Sequence, residues 1–115
     1  MIYIATIHHN NPDWIIIQNN FIRKYTQEQF KLYGWLANID NKFDKYFDVV
    51  IHKSNPNKHG QRLNILTNEI LKIANDEDFI LFLDGDCFPI KPYLDKLLPF
   101  SKNIVLKAIH RIENA

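Results

Sequence analysis

At 115 residues with 46% apolar side chains, the chain is long enough for one hydrophobic core and too short for two. Its 14 Lys and Arg against 13 Asp and Glu leave a net charge of +1, which excludes the basic field of a nucleic-acid binder. A single cysteine, Cys87, rules out an intramolecular disulfide, and no apolar stretch approaches the roughly twenty residues that cross a bilayer, so a cytoplasmic chain, at most peripheral at a membrane, is expected.

Ile2 to Ile7 is a β-branched run that closes at His8-His9-Asn10-Asn11, the pattern of a buried first strand leading into a loop. Asn11 before Pro12, with Asp13 next, predicts a helix start. Trp14, Ile17, Phe21 and Tyr25 then recur at helical spacing, with Ile15 and Ile22 widening the stripe, and are expected to form its core face. Phe30 to Leu36 predicts a second strand, Asn38 to Asp44 a polar loop, and Asp48 to His52 a third strand. After a polar stretch punctuated by Pro56 and Gly60, Leu63, Leu66, Ile70, Ile73 and Ala74 predict a second helix. Phe79 to Leu83 is an unbroken apolar run suited to a central strand covered on both faces, and Asp84 to Asp86 ends it. Leu94, Leu97 and Leu98, between Pro92 and Pro99, predict a short helix, and Ile104 to Ile109 a last strand.

Strands alternating with helices predict a three-layer, Rossmann-like α/β domain with a mainly parallel sheet, whose ligands bind beyond the carboxyl ends of the strands. The two carboxylates of Asp84-Gly85-Asp86 fall at such an end, where paired hard oxygens suit Mg²⁺ or Mn²⁺ and a phosphate the ion would bridge. Asp-Gly-Asp also occurs in ordinary turns, and its position directly after five apolar residues is what favours the site. His59, Gly60 and Arg62 stand at a predicted helix start, where backbone donors, the dipole and a guanidinium would favour a phosphate; a plain polar loop is the competing reading. Asn64 either faces the ligand or solvates the helix. The five histidines lack the close pairing of zinc sites, and Cys87 reads as a small buried residue.

The stretch Phe79-Ile-Leu-Phe-Leu-Asp-Gly-Asp86 resembles the strand and DxD motif of nucleotide-sugar glycosyltransferases of the GT-A fold, particularly family 2. Asn57-Lys-His-Gly-Gln-Arg-Leu-Asn64 is similar to the helix start that precedes that strand in the family. The resemblance implies a metal-dependent glycosyltransferase donor domain using Mn²⁺ or Mg²⁺, with Asp86 as the direct metal ligand and Asp84 near metal and ribose. It further implies that Gly60, Arg62 and Asn64 lie near the diphosphate or sugar, and Thr6 and His8 near the base; Asn38 and Asp40 are base-contact candidates by position. The family's usual endings after the first and second strands are missing: here the first ends Ile7-His8-His9-Asn10.

The expected partners are a nucleoside-diphosphate sugar and a glycan, lipid or protein acceptor. Family members continue well past the DxD strand, so a single donor-binding domain over residues 1–115 is expected, its acceptor half absent or supplied by a partner chain. Two alternatives compete: a non-catalytic or split fragment that only binds nucleotide sugar, and a haloacid dehalogenase-like phosphatase. In the latter family Thr or Val stands where this chain has Phe88, and more chain follows the motif.

Overall fold

The computed structural model describes residues 1–94 and 106–107. Four strands, β1 (Ile2–His9), β2 (Phe30–Ala37), β3 (Val49–Ile51) and β4 (Phe79–Asp84), form a sheet with a two-residue fifth strand, β5 (Leu106–Lys107), at one edge. The order is β3-β2-β1-β4-β5 and every pairing is parallel. Helix α1 (Ile15–Tyr25) joins β1 to β2, a 3-10 helix (Asn41–Tyr46) joins β2 to β3, and α2 (His59–Leu71) joins β3 to β4.

Alternation along β1 divides the core. Ile2 and Ile4 pack with Ile15 and Ile22 of α1, whereas Tyr3, Ala5 and Ile7 pack with Leu66 and Ile70 of α2. The sheet is thus filled on both faces, as the continuous apolar runs of β1 and β4 require. The architecture is α/β with an all-parallel sheet, compatible with the Rossmann-like expectation.

The helix α1 departs from expectation in both start and face. Asn11 Oδ1 accepts the Asp13 N–H at 2.9 Å, so the Asn-Pro-Asp sequence makes an Asx turn and the helix begins at Ile15. Its buried positions are Ile15 and Ile22, both on the expected face, together with Gln18 and Asn19, which were not; of the expected stripe of Trp14, Ile17, Phe21 and Tyr25, only Tyr25 packs half-buried against the core. Trp14 and Ile17 are exposed, while Phe21 stacks on Tyr25 at 6.0 Å and on Phe88 at 4.9 Å. Two amides therefore occupy core-facing positions. Asn19 Nδ2 donates to the Tyr46 carbonyl at 2.6 Å, and Gln18 reaches the end of β4.

Other boundaries shift by a residue or two, β1 running to His9 because its ladder with β2 extends to His9 opposite Ala37. The polar loop expected after β2 contains the 3-10 helix, capped by Asp40, whose carboxylate accepts the Lys42 N–H at 2.8 Å. In α2 the apolar period holds through Ile70, but Ile73 lies beyond the helix and is exposed. Of the expected short helix only Leu94 is described, and it is buried; Leu97 and Leu98 lie outside the described residues. Gly34 in β2 is required by packing, since a Cβ there would sit 2.5 Å from the Phe47 ring.

Candidate functional site

The sheet order places β1 between β2 and β4, and the connections leave β1 toward α1 and reach β4 from α2. The carboxyl ends of β1 and β4 therefore flank the point where chain direction across the sheet reverses, the usual place for a ligand crevice. Asp84 closes β4, paired alongside Ile7, and the chain turns at once: the Cys87 N–H donates to the Asp84 carbonyl at 3.0 Å. Gly85 is needed at that turn, because a Cβ would fall 2.6 Å from the Ile7 carbonyl and 3.0 Å from His8 Nδ1. Glycine here permits close approach between the turn and the end of β1.

Potential ligand atoms of Asp84, Asp86 and Cys87 all lie within 4.8 Å of one another. Asp86 is exposed, Asp84 half-buried and Cys87 buried. Two carboxylate oxygens offer hard ligands of the kind Mg²⁺ and Mn²⁺ take, leaving other positions to water or phosphate. The Cys87 sulfur, 3.8 Å from Asp86 Oδ1, is the one soft donor of the group.

Beside this turn an open cleft of about 220 Å³ is lined by Ile7, His8, His9, Asn11, Trp14, Gly85 and Asp86. The Trp14 indole is exposed and leans on Phe88, with ring centroids 6.2 Å apart. His59, at the first position of α2, brings Nε2 to 3.9 Å from Asp84 Oδ1 without lining the cleft. No side chain caps the amino end of α2, and its first turn carries no acidic residue. The unsatisfied N–H groups and positive dipole end of that helix therefore belong to the neighbourhood of Asp84. Nothing lies within 4 Å of a Cβ at Gly60, so the space on that side of the residue is open.

Arg62 is used differently from the expected phosphate contact. It is 3% exposed, with Nε donating to the Pro56 carbonyl at 2.6 Å and Nη2 to the Ser54 carbonyl at 2.8 Å. Nη1 lies 3.1 Å from His9 Nδ1, and the guanidinium sits 5.7 Å from the Trp35 ring centroid. Its hydrogen-bonding capacity is directed into the loop before α2 and the end of β1.

Thr6 and His8 face the same side of β1 as Gln18 and are both buried. The Thr6 hydroxyl accepts from Gln18 Nε2 at 3.2 Å and lies beneath the crevice rather than lining it. His8 lines the cleft with little exposed area, packs edge-on against Phe47, and has Nε2 3.0 Å from Gln18 Oε1. Burial pushes its pKa below the ordinary histidine value, outweighing the opposing influence of Gln18 and of the Asp86 charge. Asn64 is exposed on α2 and does not line the cleft. Asp40 is held as the cap of the 3-10 helix. Asn38, at the end of β2, has a positive φ and donates to Asn10 Oδ1 at 2.9 Å.

Sequence reasoning missed Gln18, Trp14, His9 and Asn11. The last two stood in the polar cluster after β1, which marked the loop without assigning contacts. Trp14 matched a core stripe, and Gln18 carried no motif. Among the described residues no helix is long and apolar enough to cross a membrane. Comparison of the chain with models of protein families, with curated proteins and with solved structures finds no match.

Proposed function

We propose that this chain is the donor-binding domain of a metal-dependent glycosyltransferase of GT-A type, taking a nucleoside-diphosphate sugar at the carboxyl ends of β1 and β4. The observation that carries the reading is the Asp84-Gly85-Asp86 turn at the reversal point of a parallel sheet, its two carboxylates beside an open cleft. Asp86 and Asp84 are the groups to hold Mg²⁺ or Mn²⁺, which when bound would neutralise charge on a departing diphosphate. In this reading the amino end of α2, with His59 near Asp84 and open space beside Gly60, would receive phosphate oxygens. Trp14, exposed and lining the cleft, is an aromatic surface suited to a base or sugar ring. Arg62 supports the reading indirectly, by holding the loop that leads into α2.

Isothermal titration of UDP and GDP, each with and without Mn²⁺, tests the proposal. Metal-dependent binding is expected, weakened at least about tenfold by Asp86→Ala, a loss on the order of 1.4 kcal/mol. Binding that ignores both the metal and the substitution defeats the donor-site reading. Metal-dependent binding without transfer to any acceptor by the isolated chain identifies a binding-only module.

A further inference from the structure

Gln18 is an uncharged side chain, 1% exposed, with four polar contacts across three elements. Its Nε2 lies 2.9 Å from the Asp84 carbonyl, 2.9 Å from the Cys87 carbonyl and 3.2 Å from Thr6 Oγ1. Its Oε1 lies 3.0 Å from His8 Nε2. A carbonyl only accepts, so the end of the amide facing two carbonyls must be the NH₂. The other end is then the oxygen, which also only accepts, and the His8 nitrogen opposite it must carry the ring proton.

Burial keeps the imidazole neutral, so with Nε2 protonated the other nitrogen, Nδ1, carries a bare lone pair. Nδ1 has no hydrogen-bond partner among the described residues, and it is not a sealed orphan. It lies against Gly85, where a Cβ would come within 3.0 Å, and both residues line the cleft.

We infer that Gln18 is the positioning residue of this site, holding the Asp84-to-Cys87 turn by two carbonyls while it fixes His8 as the Nε2–H tautomer. His8 Nδ1 then serves the cleft as an acceptor that selects a ligand hydroxyl or N–H. The inference rests on the donor-site reading for the identity of the ligand, and on the hydrogen-bond geometry alone for the tautomer. One amide thereby ties the angle of the metal-ligand turn to the polarity of the cleft floor. A ligand bearing only acceptors at that point would meet a lone pair and be disfavoured.

Nitrogen-15 NMR of the histidine side chains tests this, since the two neutral tautomers give distinct Nδ1 and Nε2 shifts. Wild-type His8 is expected as the neutral Nε2–H form, with the Gln18 amide protons protected from exchange. Adding UDP or GDP with Mg²⁺ is expected to move the Nδ1 resonance. In Gln18→Met, of similar length but without the amide, His8 should lose its single tautomer and Mn²⁺ should bind roughly 10 to 100 times more weakly, the usual effect of removing a group that orients metal ligands. A wild-type His8 protonated on Nδ1 overturns the inference, as does unchanged Mn²⁺ affinity in a folded Gln18→Met protein or a saturated complex with an unmoved Nδ1 resonance. Should Gln18→Met fail to fold, the wild-type spectrum decides. Absence of metal and nucleotide binding by the wild type sinks the donor-site reading, and the inference is then judged on the His8 tautomer.

Discussion

Gly85 is where backbone geometry and proposed chemistry meet in one residue. Because a Cβ would meet a backbone carbonyl at 2.6 Å, the strand end of β1 or the turn itself must move in Gly85→Ala. Overpacking of this kind costs about 1–3 kcal/mol, to be read from urea denaturation, and titration should show nucleotide and Mn²⁺ affinity falling together. His8 supplies a pH dependence. Its folded-state pKa lies below the ordinary value of 6.5, so above that value the ring is neutral in both states and contributes no slope. As pH falls below 6.5 the unfolded chain takes up the proton first, and stability declines until the folded-state pKa is reached. Urea midpoints followed downward from neutral pH should show this decline, and its His8 share should vanish in His8→Gln. The Asp84 and Asp86 carboxylates were legible in the sequence because an apolar run marks a buried strand and polar residues mark its end. Gln18 was not legible: its role arises only when residues 6, 8, 84 and 87 converge on it, and no local pattern encodes that convergence.

At the scale of the element, α1 shows how periodicity misleads when amides take core positions. The sequence offers two overlapping stripes about one residue apart, and aromatic bulk favoured the one containing Trp14, Phe21 and Tyr25. In the fold the narrower stripe of Ile15, Gln18, Asn19 and Ile22 is the buried one, and its two amides can lie there because each donates to backbone carbonyls, Gln18 at the end of β4 and Asn19 at Tyr46. The aromatic stripe instead receives Phe88 from the segment after the Asp84-Gly85-Asp86 turn, and Tyr93 further along donates or accepts a 2.8 Å hydrogen bond with Thr26 at the end of α1. Strand boundaries were legible to within a residue or two, since the length of a strand is set by its neighbours' ladders as much as by its own composition. The loop before α2 depends on Arg62. Arg62→Met should destabilise the domain by roughly 2–3 kcal/mol, because two carbonyls lose a charged donor. Arg62→Lys should recover only part of that in urea denaturation, since an ammonium cannot reproduce the fork that reaches both carbonyls.

For the whole molecule, alternation of strand and helix signals was enough to anticipate a parallel α/β sheet with its carboxylates at a central strand end. The strand order itself was not in the pattern, since nothing local says that β4 returns beside β1 rather than continuing beyond β3. That return makes the crevice, and it also imposes an order of events. β1 supplies the floor of the site, yet its ladder with β4 joins Ile2 to Phe79, across most of the described chain. Among the described strands β1 comes first in the chain and therefore waits longest for one of its two neighbours. Until then it presents a long apolar edge, which is the kind of surface that recruits wrong strands. The same central placement that shelters residues 2–9 in the finished sheet leaves that strand half-paired until the chain has reached residue 84.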